Sequence, residues 1–425
     1  MKTMEQYARL VDRAREKASG TLGSMVREPP GAFQEEKTPL TELLEFILNT
    51  AYQSKASDVH FEPLEQGIRI RLRINGVMKL FFQGMPWELY DKLVSRVKII
   101  CGLDIAEKRL PQDGRFSFAA CGEGASLDVR TSVVPTIHGE KIVLRLLNAP
   151  DSFKGLEQLD LSAGNLRLLR EKCTGSSGML LLAGPVNSGK TTTLYAVLTM
   201  LNQEGINIIS VEDPVEYRIE GINQIQVNGK INFGFAEALH AVLRQDFDCL
   251  AVGEIRSAEA AEMLISSALT GRRVFATIHT PGAVKTIYRL LDMGIKPYLL
   301  AAAVSAVMGQ RLVRRLCPVC REPYRAAPGS REAEFLGEDY DRQQEFFRHR
   351  AKGCPHCEHT GFAGRLAVQE LLNLDGRLAE AVAAGVTAGE LAKLAEEAGM
   401  VSMRQDGIKK AAAGQLELSE LLEIL

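Results

Sequence analysis

The sequence has no apolar run long enough to span a bilayer. Its most apolar later stretch, Tyr298 to Gly309, falls short of the roughly 20 residues that a spanning helix needs. The N-terminus, Met1-Lys-Thr-Met-Glu-Gln-Tyr-Ala-Arg-Leu, lacks the continuous apolar core and small-residue cleavage site of a secretory signal. Both absences predict a cytoplasmic protein whose contact with a membrane is peripheral. An excess of charge of one sign is missing as well: 51 basic side chains face 53 acidic ones, for a net charge of −2. No global basic field recruits nucleic acid, and interleaved basic and aromatic runs are lacking. No internal repeat of solenoid type is visible. Cysteine is scarce, with eight residues, and is unevenly placed.

What is present is the composition of a globular protein, 46% hydrophobic and 24% charged. At 425 residues the chain exceeds the ~100–200 residues usual for one domain, which predicts two or three domains, each with its own core. Residues 1–37 contain a charged helical start followed by a Gly/Pro/Glu/Lys-rich linker around Arg27-Glu-Pro-Pro-Gly. Residues 38–150 read as an α+β domain. An amphipathic helix is expected over Thr41–Asn49 and another over Leu89–Cys101. Ile68–Ile74 alternates apolar and polar residues, and Asn75-Gly76 turns the chain into a second strand over Val77–Phe82. Further strands are expected near Arg115–Ala119, Ser126–Val134 and Lys141–Leu147.

Between 178 and 292 strands alternate with helices, the pattern of a mostly parallel sheet. The expected strands are Met179–Ala183, Asn207–Val211, Cys249–Val252 and Val274–Ile278. Helices are expected over Gly189–Leu201, Phe235–Arg244, Ala258–Thr270 and Val284–Met293. A cysteine-bearing module over 316–365 follows this 151–315 core, and the Ala/Leu/Glu-rich tail, 366–425, reads as helical.

The run Gly184, Pro185, Val186, Asn187, Ser188, Gly189, Lys190, Thr191 has the form G-x-x-x-x-G-K-T, follows an apolar strand and opens a helix. Its glycines let backbone N–H groups wrap phosphate oxygens, and the helix N-terminus adds positive potential. With Thr192 these residues are the candidate site for ATP. Lys190 is expected to reach the β- and γ-phosphates and Thr191 to ligate Mg²⁺.

Acids gather downstream. Glu254 ends the apolar run Cys249-Leu-Ala-Val-Gly, where P-loop enzymes hold the metal or orient the attacking water. Asp213 and Glu216, in Val211-Glu-Asp-Pro-Val-Glu-Tyr217, end another strand, on the nucleotide side of such a sheet. His279 ends the fourth strand and is either a structural histidine or a group that senses the γ-phosphate or positions water. Arg69, Arg71 and Arg73 form the exposed face of one strand in the N-terminal domain. Arg130 and Arg145, in separate strands beside Ser132 and Glu140, are candidates for an arginine clamp closing on a nucleotide.

Cys317 and Cys320 form one CxxC unit and, 33 residues later, Cys354 and Cys357 form a second. In a reducing compartment paired CxxC units read as metal ligands, and four thiolates leave no open coordination position, so the implied Zn²⁺ is structural. His356 is read as a bystander.

Taken together, these runs resemble the secretion ATPase superfamily, in particular the assembly ATPases of type II secretion systems and type IV pili. The resemblance covers roughly residues 38 to 425. It is carried also by Ala56-Ser-Asp-Val-His-Phe-Glu-Pro63, Lys108-Arg-Leu-Pro-Gln-Asp-Gly-Arg115, Leu243-Arg-Gln-Asp246, Gln310-Arg-Leu-Val-Arg-Arg-Leu-Cys317 and Thr360-Gly-Phe-Ala-Gly-Arg365. It implies a RecA-like ATPase domain, a smaller PAS-like N-terminal domain and a homohexamer peripheral at the inner membrane, partnered by a platform membrane protein and not by nucleic acid. It also implies that Glu212, Asp213, Glu216 and Glu254 prepare the water and that Arg130 and Arg145 reach the γ-phosphate. Arg272 and Ser257 stand where the resemblance leads one to expect histidine and aspartate. The competing readings are a nucleic-acid or DNA-uptake motor and a nucleotide-gated scaffold with weak turnover.

Overall fold

The computed structural model describes residues 10–11, 38–74, 76–119, 126–147 and 155–425, so the linker, Asn75 and Cys121 lie outside the described residues. The chain divides into two units, Met1–Ser152 and Phe153–Leu425.

In the first unit Thr38 caps helix α1 (Pro39–Gln53) by accepting the Thr41 N–H, and Pro39 sits where no amide partner is needed. Leu43, Leu44, Ile47, Leu48 and Ala51 recur at helical spacing and are fully buried. The strands are β1 (Ala56–Leu64), β2 (Gly67–Ile74), β3 (Val77–Met85), β4 (Gln112–Ala119), β5 (Ser126–Thr136) and β6 (Gly139–Leu147), and α2 (Trp87–Ile100) lies between β3 and β4. They form one antiparallel sheet in the order β3-β2-β1-β6-β5-β4. Residues of β2 alternate as read: Ile68, Ile70, Leu72 and Ile74 are buried and the arginines between them are not. The arginines are not a bare solvated face, however. Arg69 and Arg71 grip the buried Glu62 carboxylate of β1 at 2.8 and 2.6 Å. The strand β1 itself was not expected, since Ala56–Leu64 is buried at most positions and shows no clean alternation.

The second unit contains α3 (Ala163–Thr174), β7 (Gly178–Ala183), α4 (Lys190–Leu201), β8 (Ile208–Glu212), β9 (Asn223–Gln226), α5 (Phe235–Val242), β10 (Cys249–Val252), α6 (Ala258–Leu269), β11 (Arg273–Ile278), α7 (Ala283–Asp292) and α8 (Pro297–Ala303). There follow β12 (Val304–Leu316), β13 (Glu322–Tyr324), α9 (Arg331–Leu336), β14 (Phe346–Arg348), β15 (Phe362–Asn373), α10 (Gly376–Ala383), α11 (Ala388–Glu397), α12 (Met403–Ala412) and α13 (Leu418–Ile424). Seven strands form a sheet in the order β15-β12-β7-β11-β10-β8-β9, all parallel except the antiparallel β15. Helices lie between the strands and two buried apolar clusters flank the sheet.

One expectation needs correction here. The tail is not helical from 366, because Leu366–Asn373 completes β15. Leu366, Val368, Leu371 and Leu372 are all buried, so consecutive residues face apolar surroundings on both sides of the sheet and the strand period is hidden. The apolar stretch Tyr298–Gly309 divides between α8 and the start of β12. The cysteine module is therefore an insertion between two paired strands, whose facing ends Leu316 and Phe362 are in register.

Candidate functional site

The loop from Gly184 to Gly189 joins the C-terminal end of β7 to the first turn of α4. Gly184 is required by contact, since a Cβ there would stand 2.6 Å from the Gln310 carbonyl oxygen. Gly189 is required twice over: its φ is +87°, and a Cβ would lie 2.6 Å from the Gln310 side-chain nitrogen. With these two turns the loop folds back over the helix start. Lys190 Nζ then donates to the carbonyl oxygens of Gly184 and Pro185, each at 2.8 Å. Burial lowers the Lys190 pKa to about 8, and Glu254 lies close enough to pull it back upward. Ser188 Oγ is buried with no hydrogen-bond partner among the described residues. Pro185, Val186 and Asn187 form the exposed rim, and Thr191 and Thr192 are half-buried at the helix start. A cradle that only glycine can line, an ammonium resting on backbone oxygens and an orphaned hydroxyl fit a polyphosphate.

Gln310 went unread as a functional residue. It lies on β12, one residue past the Gly309–Ala183 pair, and is 4% exposed. Its amide nitrogen donates to the Ser188 carbonyl at 2.8 Å and its oxygen accepts from Thr193 Oγ1 at 2.9 Å. A polar residue inside an apolar strand was the available signal. Gln310→Ala is expected to leave both partners buried and unpaired, at about 1–3 kcal/mol each. Thermal melting and ATP titration should show lower stability together with weaker binding; an unchanged ATP affinity would contradict the role as a loop prop.

The acids come from the C-terminal ends of neighbouring parallel strands, the edge that also carries the loop. Glu254 follows β10; its side chain is 18% exposed, pairs with Arg256 and stands 3.2 Å from His279 Nε2. Arg256 also reaches Asp213 at 3.2 Å, tying the ends of β8 and β10 together. Thr277 Oγ1 donates to the Gly253 carbonyl at 2.5 Å, which fixes β11 and its His279 beside Glu254. Glu212 is 3% exposed and differs from the rest: it accepts from Tyr195, Ser210 and Gln224, and burial raises its pKa against those donors. Glu216 is half-buried on the segment just beyond.

Arg272 does not join this group. It precedes β11 at the opposite edge of the sheet, over the Phe247 ring and 3.5 Å from Asp246. Ser257 caps α6, accepting the Ala260 N–H at 3.2 Å. Arg130 and Arg145 are cross-strand neighbours in the first unit. Arg145 holds Asp58 at 2.9 Å and is 57% exposed, and Arg130 is half-buried.

The four cysteines Cys317, Cys320, Cys354 and Cys357 meet as their spacing implied, with all sulfurs within 4.8 Å of one another. Three of the S···S distances are 3.8 Å. A tetrahedron of ~2.3 Å Zn–S bonds has edges of about 3.8 Å, so the donor set fits zinc in size and chemistry. The N–H groups of Cys354 and Gly361 point at Cys357 Sγ at 3.1 and 3.2 Å, as they would toward a thiolate.

The family model described as Type II/IV secretion system protein matches residues 33–423. The chain is 42% identical over 391 residues to the type II secretion system protein E of Pseudomonas aeruginosa, covering 92% of this chain and 76% of that one. It is 41% identical over 389 residues to the type IV pilus assembly ATPase PilB of Myxococcus xanthus, covering 91% and 68%. Among solved structures, the pilus retraction motor PilT with bound ADP superposes with a TM-score of 0.62 at 25% identity, covering 90% of this chain and 96% of that chain. The Legionella pneumophila ATPase DotB gives 0.68 at 18% identity, with 90% and 95% covered, which speaks to the fold alone.

Proposed function

From the premise that this chain belongs to the type II/IV secretion system protein family and is an ATPase of it, we propose that it hydrolyses Mg-ATP as a ring of six copies, driving assembly of a type II secretion pseudopilus or a type IV pilus at the inner membrane. The observation that carries the enzymatic part is the placement of Lys190 and its glycine-lined loop on the same sheet edge as Glu254 and the acids after β8. Magnesium supplies charge neutralisation and phosphate orientation when bound, and Thr191 with a strand-end acid would hold it. Lys190 leaves its carbonyl partners for the phosphates. Glu254 accepts the water proton, with His279 and Arg256 holding its carboxylate in place. Asp213 and Glu216 line the other flank, with Glu212 buried behind them against Tyr195.

A cytoplasmic setting with peripheral attachment to a platform membrane protein accords with the finding that no helix among the described residues is long and apolar enough to cross a membrane. Zinc in the tetracysteine module has a structural part only.

The test is phosphate release by the purified chain with and without Mg²⁺. Glu254→Gln is expected to bind ATP normally and lose about 10²–10⁴ of the turnover, the usual worth of a general base. Full turnover in this variant would remove Glu254 from the chemistry. Sedimentation with a non-hydrolysable ATP analogue tests the ring.

A further inference from the structure

Tyr195 lies on α4, the helix that Lys190 and Thr191 open, and its side chain is completely buried. A phenol in such a place needs partners for one donor and for its acceptor oxygen. Its proton goes to Oε2 of Glu212, at the end of β8. Its oxygen accepts the backbone N–H of Glu216 at 3.2 Å. The ring of Tyr217 meets the Tyr195 ring edge-on, centroids 4.4 Å apart and planes at 81°. The remaining Glu212 oxygen is held by Ser210 Oγ at 2.5 Å and Gln224 Nε2 at 3.2 Å, and the same Gln224 amide reaches the Tyr217 carbonyl at 3.2 Å.

The segment from Glu212 to Tyr217 is therefore fastened at both ends to one side chain of the phosphate-binding helix. Tyr195 stands four residues after Thr191, about 6 Å along a rigid helix. The phosphate-bearing helix and the end of β8 are thus joined directly by one side chain.

We propose that Tyr195 is a positioning residue that couples the phosphate-bearing helix to the acidic segment beginning at Glu212, through its hydroxyl contacts with the Glu212 carboxylate and the Glu216 backbone N–H. The proposal rests on the ATPase reading of this site. Tyr195→Phe keeps the ring and its contact with Tyr217 and removes only the oxygen. The expected result is a fall in kcat of about tenfold or more, with KM for ATP and the Kd of a fluorescent non-hydrolysable ATP analogue changed by less than about threefold. Glu212→Gln turns an amide toward donors and should show the same split.

Because both substitutions cut one link, the double variant should be about as slow as the slower single variant. Losses that multiply would mean that the two residues act separately, and would overturn the proposal. Wild-type kcat in Tyr195→Phe would overturn it too, as would equal loss of kcat and nucleotide binding with a lower melting temperature, which marks a core residue and nothing more. Should Tyr195→Phe fail to fold, Glu212→Gln decides alone: unchanged kcat there sinks the coupling. A wild-type chain that binds ATP without turning it over would defeat the ATPase reading, a result distinct from a wild-type-like Tyr195→Phe.

Discussion

Alanine at position 190 is expected to reduce ATP turnover by at least about 10²–10³, the cost of losing one preorganised donor to developing charge, and to weaken ATP binding with it. The chain should still fold. The ammonium rests on two backbone oxygens of its own loop, beside an exposed rim formed by Pro185, Val186 and Asn187. Lys190 is also held at a cost, since burial has brought its pKa down to about 8. A bound polyphosphate favours the charged form and raises that value. Above pH 8 ATP binding must therefore take up a proton, whereas below it the lysine is already charged. Affinity is expected to be flat below about pH 8 and to weaken as pH rises beyond it, until the higher bound-state pKa is reached. In Lys190→Ala the slope should vanish along with the turnover. Phosphate release, titration of a fluorescent ATP analogue from pH 7 to 9.5 and thermal melting separate these effects. Wild-type turnover in Lys190→Ala would show that the loop is not where ATP is used.

What the sequence made legible follows from how local each feature is. The phosphate loop was readable because its strand, glycines, lysine and helix start are consecutive, and the neighbouring chain does little more than hold them. Gln310 was not readable. It comes 120 residues after Lys190 and reaches the loop only because β12 pairs in parallel with β7, a register that no local pattern encodes. The strands β12 and β15 were hidden for a related reason: buried on both faces, they lose the alternation that betrays β2.

Glu212 shows the limit from the other side. It closes β8, one residue beyond the strand end expected from the sequence, and the two-residue period it shares with Ser210 turns it toward Tyr195. Arg272 and His279 are near in sequence, yet the six residues of β11 lie between them. At ~3.3 Å per residue this puts about 20 Å between the two ends of the strand, so Arg272 belongs to the other edge of the sheet.

The cysteine module carries the second large expected effect. Cys317 directly follows β12 and Cys357 lies five residues before β15, so metal binding clamps the open end of the strand pair that borders the phosphate loop. The module's own apolar cluster joins β12 and β15 to the last two helices through Val313, Phe346, Val368, Ala411 and Leu421. Without metal, four facing thiols offer little attraction, whereas structural zinc contributes on the order of 10–16 kcal/mol to small isolated modules. Part of that is returned here by the apolar cluster. A net loss of roughly 5 kcal/mol in Cys317→Ser would lower the melting temperature by about 10–20 °C, at ~2–4 °C per kcal/mol for a unit of this size. Elemental analysis should find about one zinc per wild-type chain and far less in the variant. Because Gln310 lies on β12, seven residues before Cys317, ATP affinity should fall as well, with a smaller change than in Gln310→Ala. A metal-free wild-type chain that melts and binds ATP like the zinc-loaded one would show that the thiolates do not hold this end of the sheet.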